Sequence, residues 1–345
     1  MKKKIMLLSV IFSLTACNLL WIQEKEITPI QIFDDIWTDF RNLYSLFEQR
    51  AVNWEQVRDK FLPHISNDMT NMELFKVCSE MLNTLQDPHV SLITPFGQSK
   101  IENSKYSSSD FFNFEKVKKE YLIDSGKNNG NEKIWYGIIN KEKTQKDIGY
   151  IHFTNFSAES FFNESWIKDI DDIIKYISKT EFLIIDIRDS HGGFGYNMEY
   201  IASRFISVPK DYLSVRTKNG PGKNDFSAPI TMTIRPAETR YVKPIVLLTN
   251  YETVSAGEWF TLALSTQRHV THAGQPTMGA FSAYVTRTLQ NGWRYTMSIQ
   301  KITDMKGINY EGTGINPSPE HTLNNIDDSP QRNIDKQLEH ALKMY

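Results

Sequence analysis

An excess of charge of one sign is missing from this chain: 39 Lys and Arg stand against 41 Asp and Glu, a formal net charge of −2 over 345 residues. No basic field exists to hold a phosphate backbone, so nucleic acid is excluded as a partner. Ligand spacing for a metal is missing too, since His191, His269 and His272 lack a second ligand at metal spacing. Neither a metal nor any other cofactor is expected. Cysteine is nearly absent, with Cys17 and Cys78 alone. Cys78 sits in an apolar pattern of helical spacing over residues 73–82 and reads as a small buried hydrophobe rather than a reactive thiol. No internal repeat is visible. What is present is 40% hydrophobic residues, enough for a substantial core in one large domain or two modest ones, and 12% aromatics, which suit a filled core or an apolar groove.

The first residues run Met1-Lys2-Lys3-Lys4, then an apolar stretch from Ile5 to Leu14, then Leu14-Thr15-Ala16-Cys17. The stretch is too short to span a bilayer comfortably, and small residues before a cysteine suit a signal peptidase pocket. The segment is read as a lipoprotein signal, with Cys17 the lipidated first residue of the mature chain and a membrane as partner through that anchor. An ordinary cleaved signal in which Cys17 is incidental is the alternative. Asn18 in place of Asp resembles the outer-membrane sorting signal of Gram-negative lipoproteins, so a lipid-anchored place in the cell envelope is expected.

The organisation expected is a signal over residues 1–16, a tether over 17–27, a helical domain over 28–95, a variable loop and strand segment over 96–147 and an α/β core over 148–345. Thr28 with Pro29, Asn53 and Thr70 or Asn71 are the predicted starts of three helices. The third ends before Asp87-Pro88-His89, because proline disfavours helix in the residue before it, and a strand follows through Thr94. Residues 97–132 are rich in Ser, Asn, Lys and Gly and read as surface. Strands are predicted at 134–139, 148–153, 182–187 and 245–249. Helices near 160–178, 196–205 and 255–265 alternate with them, which argues buried strands covered by helices. Gln290-Asn291-Gly292 marks a hairpin between strands 283–289 and 293–299, and a last helix spans about 330–342.

Two strand-to-loop junctions carry candidate chemistry. After Leu183-Ile184-Ile185-Asp186-Ile187-Arg188-Asp189-Ser190-His191 come Gly192 and Gly193, whose amides can approach a ligand closely, as an oxyanion hole requires; a tight turn packed by glycine is the plain alternative. No Gly-Lys-Ser/Thr follows, so a phosphate loop is excluded. After the strand 245–249, Ser255 stands before Ala256 and Gly257 at a predicted helix start. There a serine is ordinarily only a cap, but a sharp turn with small neighbours would expose its hydroxyl beside free amides and the helix dipole.

At these motifs the chain resembles the S41, or tail-specific, peptidase family, through Asp186-Ile187-Arg188-Asp189-Ser190-His191-Gly192-Gly193 and Ser255-Ala256-Gly257-Glu258. Gly274-Gln275-Pro276-Thr277-Met278-Gly279 and Glu311-Gly312-Thr313-Gly314-Ile315-Asn316-Pro317 follow in the family's order. The resemblance implies a crotonase-like core, serine endoproteolysis of extended or C-terminal peptide segments, a peptide or unfolded protein as substrate, and no metal. The C-terminal processing branch has a base lysine where this chain has Ala280, and Lys301 lies too far along to replace it. The segment before the core is also too short for that branch's PDZ domain. Leu85-Gln86-Asp87-Pro88-His89 looks instead like the element that supplies the base in the tricorn-type and retinoid-binding-like branch. The resemblance thus implies Ser255 as nucleophile, His89 as base, Glu311 as its orienting carboxylate, and an oxyanion hole from Ala256 with Gly192 or Gly193. His89 as a turn residue and Glu311 as a surface carboxylate are the plain alternatives. An S41 fold that has lost catalysis and binds apolar ligands or peptides is the competing function.

Overall fold

A computed structural model describes residues 27–99, 112–128, 130, 132–140, 145–157, 165–323 and 334–345. Cys17 and the charged and apolar run before it lie outside these residues, as do Ser107-Ser108-Ser109 and the beginnings of two predicted helices.

Three N-terminal helices start where their caps place them. α1 (Pro29–Leu43) is capped by Thr28, α2 (Trp54–Phe61) by Asn53 and α3 (Asn71–Asn83) by Thr70, each side chain accepting the third amide of its helix. Such a cap contributes on the order of 1 kcal/mol. Ile32, Phe33, Ile36 and Phe40 of α1 pack with Leu74, Cys78, Met81 and Leu82 of α3. Cys78 is buried and burial pushes its thiol up to about 12, the inert state expected.

The helices do not close a core by themselves. β1 (Ser91–Thr94) pairs with β2 (Gly97–Gln98) and, some 200 residues on, with β12 (Arg294–Ser298), which pairs with β11 (Tyr284–Thr288). Leu92, Tyr295 and Met297 point from this antiparallel sheet into the helical core, so the His89 segment after α3 is fastened to a distant part of the chain. The Asn291-Gly292 hairpin forms as the turn residues predict, with Gly292 at φ 81°.

The second unit is a six-stranded sheet of order β10-β9-β6-β5-β4-β3. β5 (Ile148–Phe153), β6 (Phe182–Asp186), β9 (Ile245–Thr249) and β10 (Val270–Gly274) are parallel; β4 (Ile134–Ile138) and β3 (Lys127–Asn128) run antiparallel at one edge. Strict alternation divides the strands between two cores. Leu183, Ile185, Ile245 and Leu247 face α5 (Ile170–Ile177), α6 (Gly195–Ala202) and α7 (Ala256–Ser265). Phe182, Ile184, Val246 and Leu248 face α8 (Lys336–Ala341), with α4 (Phe114–Tyr121) in the same core. α4 corrects the reading of residues 97–132 as surface: capped by Asn113, it buries Val117 and Tyr121 beneath a charged outer face. A small sheet of β7 (Lys210–Thr217), β8 (Ile230–Ile234) and β13 (Gln300–Thr303) completes the molecule.

Arg188 fastens α8 to the core. It is fully buried, bonds Asp186 through Nε and Nη2 (2.9 and 2.6 Å) and Asp335 through Nη1 (2.8 Å), and lies 4.1 Å from the ring centroid of Phe112. Tyr150 donates to the second oxygen of Asp186 at 2.7 Å. The partners hold Asp186 below the ordinary carboxylate range despite burial, which pushes the other way. Arg188→Met leaves two buried carboxylates facing each other without a cation, and the expected loss is about 3–5 kcal/mol of unfolding free energy. Urea unfolding of the variant beside wild type measures it; a loss below about 1 kcal/mol would contradict the buried network.

Candidate active site

The carboxyl ends of neighbouring parallel strands are where loops of an α/β sheet converge. Those of β6 and β9 lead into α6 and α7, and the two loops are zipped together. Thr253 Oγ1 donates to the carbonyl of Ile187 (2.8 Å), the Val254 amide to that of Ser190 (3.1 Å), and Asn250 clamps Asp189 by accepting from its amide and donating to its carboxylate. Burial pushes Asp189 up to about 6 against the Asn250 bond, and its φ of 56° shows how tightly the loop turns.

Ser255 stands at the end of the zipper with φ 56° and ψ −119°. A non-glycine residue held there costs about 1–3 kcal/mol and persists only where its surroundings enforce it. They do so through Glu258. Its buried carboxylate accepts from the amides of Ser255 (3.1 Å), Gly279 (2.6 Å) and Ala280 (2.8 Å) and from Thr277 Oγ1 (2.7 Å). Burial pushes Glu258 up to about 7 and these four bonds pull it down. Three of the four partners are amides that can only donate, so these bonds favour the ionised form.

Gly192 packs on the serine. Its φ is 73°, and a Cβ there would lie 2.7 Å from Ser255 Cβ and 3.2 Å from the Ala256 nitrogen. Gly193 is held against Phe156, whose backbone a Cβ would meet at 2.2 Å. Among the described residues, the amides of Gly192, Gly193 and Ala256 donate to no acceptor, while Ala256 opens α7 with its dipole behind it.

His89 and Ser255 line one cavity of about 640 Å³. The imidazole packs on Tyr284 with centroids 5.3 Å apart, its backbone amide donates to Asp87 Oδ1 (2.9 Å), and Nδ1 is buried without a partner among the described residues. Burial holds its pKa below the ordinary histidine value, Arg50 adds to that, and Asp87 opposes it. At neutral pH the ring is neutral and able to accept a proton.

Glu311 is buried rather than a surface carboxylate, but it does not meet His89. Its oxygens are taken by Arg50 (2.8 Å) and by the amides of Phe281 (3.0 Å) and Ser282 (3.2 Å). Arg50 stands between it and Asp87, whose Oδ1 is 4.0 Å from the guanidinium and whose Oδ2 accepts from Tyr44 (3.0 Å). The expected direct carboxylate–imidazole bond is therefore replaced by a chain from Glu311 through Arg50 to Asp87 and the His89 backbone. Burial and the nearby Asp87 raise the Glu311 pKa, and Arg50 opposes them. Arg50 and Glu258 are residues that sequence reasoning did not assign to the site. Glu258 carried a local signal, three residues after the serine at a helix start; Arg50 carried none. Ala280 is buried beneath Glu258, and Lys301 lines a different cavity beside Phe47 and Glu48. No cluster of three or more metal-ligating side chains occurs among the described residues.

Comparison with known proteins gives this geometry a context. The model of peptidase family S41 matches residues 147–320, and that of the tricorn protease C1 domain matches residues 28–83. The carboxy-terminal processing protease CtpA of Bacillus subtilis is 26% identical over 200 residues, which cover 57% of this chain and 40% of that protein. The chain thus spans less than half the length of this curated relative. A candidate peptidase of Parabacteroides merdae has a crystal structure that superposes with TM-score 0.77 at 25% identity, over 91% of this chain and 96% of that one. Mature CPAF shares the fold at TM-score 0.65 and 13% identity, over 86% and 93% of the two chains.

Replacing Glu258 by Gln puts an NH₂ among donors, and at least one buried donor loses its acceptor, at a cost of about 1–3 kcal/mol. Because Ser255 is among those bonded, its reaction with a fluorophosphonate should slow by up to about 100-fold, as displacement of a reacting group does. Thermal unfolding and labelling rates of E258Q measure the two; full stability with undiminished labelling would refute the role given to this carboxylate.

Proposed function

Because the chain belongs to peptidase family S41, we propose that it is a serine peptidase that cleaves extended or C-terminal peptide segments through an acyl-enzyme on Ser255. The observation that carries this reading is the strained Ser255, enforced by Glu258, beside three amides with no acceptor and an imidazole in the same cavity. In the proposed reaction Ser255 Oγ attacks a peptide carbonyl as His89 takes its proton. The amide of Ala256, with that of Gly192 or Gly193, receives the negative oxygen, and donors set in advance for that charge supply the largest single part of such a rate enhancement. His89 passes the proton to the departing amine, and water resolves the ester. Glu311 serves the base at one remove, fixing Arg50 and through it Asp87.

Labelling with a fluorophosphonate, with peptide mapping, tests the assignment. Ser255 should carry the adduct, Ser255→Ala should abolish both label and turnover with little change in melting temperature, and His89→Ala should slow both by at least about 100-fold. A base is needed unprotonated, so activity should fall as pH drops through the His89 pKa, and burial places that fall below pH 6.5, the ordinary histidine value. Unchanged turnover in Ser255→Ala would sink the reading. Absence of label under conditions that mark a control serine peptidase would favour the ligand-binding alternative, for which the partnerless Nδ1 of His89 and the exposed Phe194 and Tyr284 speak.

We further propose that the protein acts at a membrane surface, anchored through lipid on Cys17, on the strength of the Lys2–Lys4, Ile5–Leu14 and Leu14-Thr15-Ala16-Cys17 sequence. Metabolic labelling with a radioactive fatty acid in a Gram-negative host should mark the wild-type chain and not Cys17→Ser, and equal labelling of the two would refute the anchor.

A further inference from the structure

Ser255 stands between two chambers. One, of about 640 Å³, has as its floor the outward face of the β11-β12-β1-β2 sheet, with Ser91, Gln98, Thr286 and Thr296 beside Ile93, and apolar walls that include Val254 and Met278. The polar groups are tied together, Ser91 to Thr296 across the strands (2.9 Å from its amide, 3.2 Å between hydroxyls) and Gln98 Nε2 to Ser91 Oγ (3.1 Å). Strand alternation explains the face, since Leu92, Tyr295 and Met297 take the opposite side into the helical core. No carboxylate, lysine or arginine lines this chamber.

The other chamber, of about 710 Å³, is walled by Phe194, Trp259 and Tyr284 over Gly193, Ala256 and Ala283. Phe194 is 50% and Tyr284 52% exposed, so both rings are available to a ligand. Trp259 is fixed by its Nε1 bond to the Phe281 carbonyl (3.0 Å), and Gly195 opposite leaves its ring uncovered by any Cβ. Among the described residues, only Ser255, His191 and Tyr284 belong to both chambers. A chain crossing Ser255 therefore has one half in each.

Resting on the reading of Ser255 as nucleophile, we infer the polarity and side-chain preference of cleavage: a large apolar residue is acylated from the Phe194–Trp259 chamber, and the departing half leaves through the chamber floored by Ser91, Thr286 and Thr296. The direction follows from the proton. The base that deprotonates the serine returns that proton to the leaving amine, so the departing half lies on the side of His89, which lines that chamber and not the aromatic one. The glycine amides line the aromatic chamber, and the acyl carbon they serve lies at its mouth. The Ser255 Oγ–acyl bond forms as the C–N bond breaks, the amine takes the proton, and hydrolysis releases a new carboxyl end behind the apolar residue. The aromatic walls hold that side chain by burial, and the bonded hydroxyl floor excludes a charge it has no counter-ion for.

The test is the full chain incubated with a defined mixture of synthetic tetradecapeptides, with every new terminus read by mass spectrometry, beside Phe194→Ala and fluorophosphonate labelling of each sample. Cleavage after Phe, Leu, Met or Tyr should exceed cleavage after Asp, Glu or Lys by at least about tenfold. Phe194→Ala should raise KM for a peptide cut after Phe by about tenfold relative to its effect on a peptide cut after Ala. An enzyme that labels and cleaves without preference, or that places the large apolar residue after the cut bond, overturns this assignment and leaves Ser255 as nucleophile. A chain that neither labels nor cleaves overturns both.

Discussion

One carboxylate holds the candidate site in shape. Glu258 joins the first turn of α7 to the segment 277–280, and that segment in turn holds the loop carrying Glu311: Thr277 bonds Ile315 in both directions, and the Gly279 carbonyl accepts from Gly312. A Cβ on Gly314 would fall 1.9 Å from the Thr277 carbonyl oxygen, so backbone passes on backbone there with no room for a side chain. The strain at Ser255 is stable because its amide is one of four donors converging on a buried charge. Withdrawing that charge would free the turn and leave several amides without acceptors.

The same logic, on a larger scale, explains why the candidate nucleophile and candidate base come from segments far apart in the chain. His89 follows the third helix, and its strand β1 is sandwiched between β2 and β12. Ser255 begins α7 on the central sheet. Neither unit holds both residues, and the cavity between them exists because the hairpin β11–β12 leaves the α/β core to complete the helical unit's sheet. The Arg50–Glu311 bond crosses the same junction. A charged pair partly shielded from water gives it direction as well as strength, since either ion left alone would be costly to bury.

Much of this was legible in the sequence where the signal is local. Caps at Thr28, Asn53 and Thr70, the apolar strands 182–187 and 245–249, the Asn291-Gly292 turn and the small residues around Ser255 each report on a few neighbours, and each forms where it was read. The rest was written in partners far apart. Residues 97–132 read as surface because serine, asparagine and lysine dominate, yet Val117 and Tyr121 supply the buried stripe of α4. β8 went unread although Ile230-Thr231-Met232-Thr233-Ile234 alternates, and in β7 the bulge between Asp211 and Leu213 breaks the alternation. Glu311 was read as the orienting carboxylate of His89, whereas it bonds Arg50, 261 positions away, and no periodicity in either segment announces that pairing.

Ala280 offers no base of its own, and the candidate imidazole comes from the helical unit. The Ala280 amide is spent on Glu258 and its methyl is buried, so the segment after Gly279 works as a strut for the serine turn rather than a platform for a charged side chain. A lysine head placed beside Glu258 would compete with the Ser255 amide for that carboxylate, and the turn would lose what enforces its backbone. An imidazole carried on another element avoids the conflict. It stays neutral through burial, and its position is set by Asp87 on its own turn and steadied by Arg50 from outside. The cost is that the base depends on contacts made across the whole chain, so the two units and the site between them must be assembled together.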